Sequence, residues 1–129
     1  MKTAAILLLL LVGLLPLGAD AHEELTNVLL VVQPEEILGF SGPRNRWVTQ
    51  RLLLGEQIQA KRVSNNVAVV VTDRRLLGFS AFGGFWDVEG LRINEKIASL
   101  QAEGNVATVV TDQRVLAFNA HTGRWIKAY

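Results

Sequence analysis

The chain has 129 residues and a formal net charge of +1 at pH 7, with 13 Lys and Arg residues against 12 Asp and Glu residues. This balance argues against nucleic-acid binding by phosphate neutralisation, because the sequence offers no basic stripe. The sequence has no cysteine, so disulfide frameworks and a lipid-anchored N-terminal cysteine are excluded.

Residues 1–21 have the pattern of an export signal. A basic residue precedes the apolar run 4–15, and Ala19 and Ala21 place small side chains at the two positions that determine cleavage. The run is shorter than the roughly 20 apolar residues of a membrane span, which favours a cleaved signal over an uncleaved anchor. We therefore expect a mature single domain of residues 22–129, periplasmic or secreted, with no membrane span after signal cleavage.

From residue 28 onward the sequence repeats with a period of 39 residues. Matching valines, leucines, phenylalanines and tryptophans recur in the same register, and a fixed period of this length is typical of folds that array one supersecondary unit. The repeats are residues 28–66, 67–105 and 106–129, and their register is marked by Trp47, Trp86 and Trp125.

Each full repeat reads as four short β-strands. In the first repeat Pro34 falls in the first turn, where it is tolerated, whereas a strand interior would reject it. In the middle repeat a β-branched run predicts a buried strand that enters a tight turn at Asp73-Arg74. The predicted strands of that repeat are residues 67–72, 75–80, 85–92 and 95–102.

The third repeat ends at Tyr129, before the equivalent of residues 95–102. Short strands with turn signals every few residues suit a sandwich, barrel or propeller. We therefore predict an all-β, propeller-like fold of three blade-like, four-stranded antiparallel repeats, the third incomplete. The alternative is a β-trefoil-like barrel, which also has three repeats of similar length.

The stretch Val115-Leu116-Ala117-Phe118-Asn119-Ala120-His121-Thr122-Gly123-Arg124-Trp125 resembles the strand-turn-strand segment of bacterial β-propeller repeat proteins with quinoprotein-type, WD-like blades. In those blades an apolar pair and small residues precede a Thr-Gly turn and a Trp. The middle repeat keeps Ala81, Gly84 and Trp86 but has Gly83 for the Thr, and the first keeps only the apolar pair and its Trp. The resemblance implies a propeller. Because propellers close with about four to eight blades, it also implies that the three blades either associate, for example as two chains making six, or are a piece cut from a longer ring. It carries over no catalytic residue.

The tryptophans are candidate ligand-binding residues. A Trp at one position of every repeat either packs between adjacent units or offers an aromatic face on which a sugar stacks. Both interpretations apply to Trp47, Trp86 and Trp125.

A Thr-Asp-x-Arg pattern occurs at residues 72–75 and 111–114. We expect the Asp to cap the turn and the Arg to pair with it across the hairpin. As an alternative, Arg75 and Arg114 bind an anion or carboxylate. Glu56 and Glu95 share one repeat position before the fourth strand, and we expect them to be solvated turn residues.

With two His, no Cys and no Gly-rich phosphate loop, the sequence offers no catalytic set. We therefore expect no enzyme activity, no cofactor and no metal site. The predicted function is a non-catalytic protein-interaction scaffold, whose partner is a second copy or another envelope protein. The alternative is a carbohydrate-binding, lectin-like module with one weak glycan site per repeat.

Overall fold

The computed structural model describes residues 26–128. Within this range the chain forms 11 strands and no helix, arranged as three antiparallel sheets. The all-β prediction is therefore confirmed. The strands are β1 (Val28–Gln33), β2 (Glu36–Ser41), β3 (Arg46–Arg51), β4 (Ile58–Val63), β5 (Val67–Thr72), β6 (Arg75–Ser80), β7 (Trp86–Gly90), β8 (Ile97–Glu103), β9 (Val106–Thr111), β10 (Val115–Asn119) and β11 (Arg124–Ala128).

The sheets do not coincide with the sequence repeats. Sheet 1 contains β1–β3, sheet 2 contains β4–β7 and sheet 3 contains β8–β11, so the last strand of one repeat pairs with the first strand of the next. A tight turn, in which the Ser64 amide donates to the Val67 carbonyl at 2.9 Å, joins β4 to β5, whereas residues 52–57 separate β3 from β4. Because short connections favour antiparallel neighbours, β4 pairs with β5 of the next repeat and not with β3 of its own. The expectation that each repeat forms its own four-stranded sheet is wrong.

This grouping also changes which unit lacks a strand. The last sheet has four strands because β8 joins it, whereas sheet 1 has three within residues 26–128. The predicted incompleteness of the third repeat therefore does not appear at the level of sheets. The strand order of each sheet is linear, and residues 26–128 form no closed barrel of the kind that the trefoil-like alternative requires.

Sheet 2 lies between the other two sheets and packs against both of them. All residues of β5 are buried, as the sequence predicts for Val67–Thr72, and β6 is buried beyond Arg75. Successive side chains along each strand point to opposite faces of the sheet. One face packs against sheet 1 through Ala68, Val70, Leu77 and Phe79, and the other packs against sheet 3 through Val67, Val69, Val71 and Leu76.

Each sheet has a front face and a back face. We call the front face the one that carries a paired Phe and Trp, which are Phe40 and Trp47 in sheet 1, Phe79 and Trp86 in sheet 2, and Phe118 and Trp125 in sheet 3. In sheets 2 and 3 the front face contacts the preceding sheet. The opposite, back face carries a Gly in sheets 1 and 2. A Cβ atom added to Gly39 would lie 2.8 Å from the Phe79 ring, and one added to Gly78 would lie 2.6 Å from the Phe118 ring. The glycines therefore set how closely neighbouring sheets approach.

The part of the chain described by the structure contains no helix long and apolar enough to cross a bilayer. The predicted signal segment, residues 1–21, lies outside the described residues.

Candidate functional site

The turns and loops fall at two ends of the sheets. At one end, which we call the loop end, the strand registers bring together the hairpin turns after β1, β5 and β9 and the two connections between sheets. The connections between sheets are residues 52–57 and 91–96. Such repeated loops on one edge are where binding surfaces commonly form.

A buried glutamate fixes the first of these loops. The Glu56 carboxylate accepts hydrogen bonds from Thr72 Oγ1 at 2.6 Å, from the Leu53 amide at 2.7 Å, and from Arg75 through Nε at 2.9 Å and Nη2 at 2.7 Å. The Glu56 side chain has no exposed area. The Arg75 contact is a two-point, charge-assisted pair. It ties loop 52–57 to the β5–β6 hairpin.

The same cluster recurs at the next loop. Glu95 accepts from Thr111 Oγ1 at 2.7 Å, from the Arg92 amide at 2.7 Å, and from Arg114 Nε and Nη2 at 2.8 and 3.0 Å. Arg114 also donates from Nη1 to Glu89 Oε2 at 2.9 Å. We refer to both arrangements as Glu–Thr–Arg clusters.

These contacts hold both glutamates in the ionised form. Burial of Glu56 opposes its ionisation, but the hydrogen bonds from Arg75, Leu53 and Thr72 outweigh burial and lower its pKa to about 2. For Glu95 the hydrogen bonds from Arg114 are the largest influence and also lower the pKa to about 2. The paired carboxylate in turn raises the pKa of Arg114.

Two sequence expectations are corrected here. Glu56 and Glu95 are buried rather than solvated, because each completes a Glu–Thr–Arg cluster. Arg75 and Arg114 pair with these glutamates and not with the turn aspartates. Asp73 and Asp112 instead accept from the backbone amides of Gln57 and Lys96, both at 2.9 Å. Ligand binding by Arg75 and Arg114 stays a prediction.

Each loop carries a large apolar side chain that projects into solvent. Leu54 is 97% exposed and Ile93 is 87% exposed, and the two occupy the same repeat position. The residue that follows each of them has a left-handed backbone, with φ of 78° at Gly55 and 60° at Asn94. Because the next residue is a buried glutamate of a Glu–Thr–Arg cluster, the apolar residues are held outward by a fixed backbone. They were not predicted from the sequence, although their equivalent positions in two repeats were a visible signal.

The three tryptophans are not equivalent in the structure. Trp86 donates from Nε1 to the Val48 carbonyl of sheet 1 at 3.0 Å, and Trp125 donates to the Asp87 carbonyl of sheet 2 at 3.1 Å. Both therefore pack between adjacent sheets. Trp47 lies on the front face of sheet 1, packs on Phe40 and is 48% exposed. Its aromatic face is the one available for an external contact.

The opposite end of the sheets carries an asparagine ladder, which was not predicted from the sequence either. Asn27 Nδ2 donates to Asn66 Oδ1 at 2.7 Å, and Asn66 Nδ2 donates to Asn105 Oδ1. Asn105 Nδ2 lies 3.2 Å from His121 Nε2, and the His121 ring stacks on Phe82. Because the asparagines are 39 residues apart, the repeat period was the signal that could have revealed them.

Residues 26–128 contain no group of three or more His, Asp or Glu residues placed to hold a metal ion. Two depressions lie at the loop end. One is lined in part by Leu52, Leu53 and Leu54, and the other in part by Arg92, Asn94 and Lys96.

No model of a known protein family matches the chain, and no curated protein is significantly similar to it.

Proposed function

We propose that the chain is a propeller-type β-repeat protein that acts as a non-catalytic interaction scaffold outside the cytoplasm. Three sheets that follow one another in sequence and pack face to face support the propeller part of this proposal. The export pattern of residues 1–21 supports the location.

The observation that carries the scaffold role is the pair of fixed, outward apolar residues at the loop end. A single exposed apolar residue is ordinary on a protein surface. Here Leu54 and Ile93 project from equivalent loops, each beside a Glu–Thr–Arg cluster that is built from four hydrogen bonds. Fixing the backbone in advance lowers the entropy lost on binding. The proposed partner is a protein that offers one apolar contact to each loop.

The remaining chemistry of the loop end supports recognition more than catalysis. The two buried carboxylates are saturated by structural hydrogen bonds from Thr, Arg and backbone amides. A general acid or base must instead be free to exchange a proton with a substrate. A non-catalytic role therefore fits these residues.

The scaffold role is tested by site-specific photo-crosslinking in the native host. A photoreactive residue at position 93 is expected to yield a discrete protein adduct. The adduct is lost when Leu54→Asp is added. The matched control places the photoreactive residue at Thr122, an exposed turn position at the opposite end. Adducts of equal yield and identity from both positions, or none from position 93, would contradict the proposal.

A lectin-like role is the second candidate, and the exposed ring of Trp47 favours it. Because Trp86 and Trp125 donate hydrogen bonds between sheets, Trp47 is the tryptophan whose ring is exposed enough to stack on a sugar. Titration with a panel of soluble oligosaccharides, followed by tryptophan fluorescence, tests this role. A saturable change that disappears in Trp47→Ala would favour the glycan role over the protein scaffold.

A further inference from the structure

The contact between neighbouring sheets is built twice by the same repeat positions. In each case a front-face Phe covers a back-face Gly, and a front-face Trp donates to a backbone carbonyl of the preceding sheet. Ser41 Oγ also donates to the Ala81 carbonyl, and Ser80 Oγ donates to the Ala120 carbonyl. The chain therefore contains two copies of one interface.

One half of this interface is left uncovered at each end of the described chain. The front face of sheet 1 carries Leu29, Val31 and Trp47, all exposed. Their repeat equivalents in sheet 2 are Ala68, Val70 and Trp86, which pack against sheet 1.

The back face of sheet 3 is the complementary half. It exposes Val106, Val115 and Ile126, the last of them by 61%. The equivalents of the two valines in sheet 2 are Val67 and Leu76, which are buried against sheet 3. Two apolar faces are thus open, and they match the two sides of a contact that the chain already makes with itself.

We propose that the front face of sheet 1 docks on the back face of sheet 3 of a second copy, head to tail. The repeat places the Trp47 indole N–H against the Ile126 carbonyl of the second copy. Two such contacts would join two sets of three sheets into a ring of six, which is within the range of about four to eight blades that propellers use to close. This interface lies on a different surface from the loop end and does not rest on the scaffold role.

One substitution makes the contact between copies weaker than the internal ones. At the position of Gly39 and Gly78 the last sheet has Ala117. Since a Cβ atom at either glycine would lie within 2.9 Å of a Phe ring, the Ala117 methyl group keeps Phe40 of the second copy from the same close approach. The association is therefore expected to be reversible.

Sedimentation equilibrium of the full chain and of two surface variants tests the proposal. Trp47→Arg places a charge on the front face of sheet 1 and leaves the back face of sheet 3 unaltered. Ile126→Arg places a charge on the back face of sheet 3 and leaves the front face of sheet 1 unaltered. We expect a concentration-dependent dimer of the unaltered chain and monomers of each variant, a loss of at least about tenfold in association constant. Mixing the two variants is expected to give a one-to-one heterodimer that is weaker than the unaltered dimer, because one contact joins an intact front face to an intact back face and the other joins the two altered faces.

The control variant is Gln59→Arg, which changes an exposed residue of β4, the edge strand of sheet 2, and so alters neither open face. It is expected to leave association unchanged. A monomeric unaltered chain would overturn the proposal. So would a dimer that survives Ile126→Arg, since that result indicates front-to-front contact or association through the N-terminal segment. Failure of the mixture to form a heterodimer would also overturn it.

Ala117→Gly provides a test in the opposite direction. Removing the methyl group lets Phe40 approach as closely as Phe79 and Phe118 do within the chain, so the variant is expected to dimerise more tightly. A weaker dimer would contradict the proposed pairing of Phe40 with position 117.

Discussion

The ring of Phe118 covers Gly78 of the adjacent sheet, and a Cβ atom added to that glycine would lie 2.6 Å from the ring. Phe79 covers Gly39 in the same way one repeat earlier. Close packing of this kind leaves no room for an added methyl group unless the sheets move apart. The distance between the sheets thus depends on the absence of two side chains as much as on the large residues present.

Gly78→Ala is therefore expected to destabilise the fold by about 1–3 kcal/mol, the usual cost of overpacking a core. The free energy of unfolding from urea titration measures the effect. Gly90→Ala is the matched control, because a Cβ atom there meets nothing within 4 Å. Equal stability of Gly78→Ala and Gly90→Ala would contradict the packing argument.

The Glu–Thr–Arg clusters predict acid sensitivity. Glu56 and Glu95 have an ordinary pKa of 4.5, which the fold lowers to about 2. Because the folded pKa is the lower one, their stabilisation is fully present above about pH 5 and is lost as the pH falls toward 2. It amounts to about 3 kcal/mol for each glutamate. Urea midpoints measured between pH 7 and pH 2.5 test this dependence.

Glu95→Gln is the corresponding variant. The substitution removes the carboxyl group whose pKa the fold lowers, and it takes from Arg114 one of its two carboxylate partners. The protein is therefore expected to be less stable at pH 7. Its stability also falls less steeply with acid than that of the unaltered chain. Parallel pH profiles for the two proteins would show that Glu95 does not control the acid response.

The asparagine ladder predicts a cost for Asn66→Ala. Asn66 accepts from Asn27 and donates to Asn105, so the substitution removes two hydrogen bonds and leaves partly buried amide groups unpaired. We expect a loss of about 1–3 kcal/mol in the free energy of unfolding. The Asn66→Asp variant keeps the acceptor and loses the donor, and intermediate stability is expected from it. Full stability of Asn66→Ala would exclude a structural role for the ladder.

Tryptophan accessibility provides a separate check of the sheet order. In the Ile126→Arg variant, which keeps all three tryptophans and lacks the back face, acrylamide is expected to quench Trp47 strongly. The Trp47→Phe variant retains Trp86 and Trp125, which lie between sheets, and is expected to be quenched less and to emit at shorter wavelength. Equal quenching of both variants would be inconsistent with the packing of Trp86 and Trp125 between the sheets.

The strands themselves were predictable from the sequence, but their grouping into sheets was not. The β-branched run Val67–Thr72 and its hairpin partner Arg75–Ser80 coincide with β5 and β6. A repeat period fixes the spacing of equivalent strands, but the same period results wherever the boundary between units is placed. The length of loop 52–57 against the tight turn after β4 was the physical clue to the boundary.

The candidate site was harder to predict because its partners are distant in sequence. In the sequence Glu56 looks like an ordinary polar loop residue. Its partners Thr72 and Arg75, the latter 19 residues later, come beside it only in the folded chain. The recurrence of the same spacing in Glu95 and Arg114 was a usable signal. The exposure of Trp47 against the burial of Trp125 has no local cause in the sequence, since it follows from which sheet has a neighbour.

The burial of both faces of sheet 2 has a consequence for how the chain folds. Its central strand, β5, exposes no side chain to water, so this sheet cannot hide its apolar surface without a neighbour on either side. In repeat proteins stability is shared between units and the interfaces that join them. Removing sheet 3 would expose Val67, Val69, Val71 and Leu76 to solvent. The three sheets are therefore expected to melt in a single cooperative transition, without a stable two-sheet intermediate.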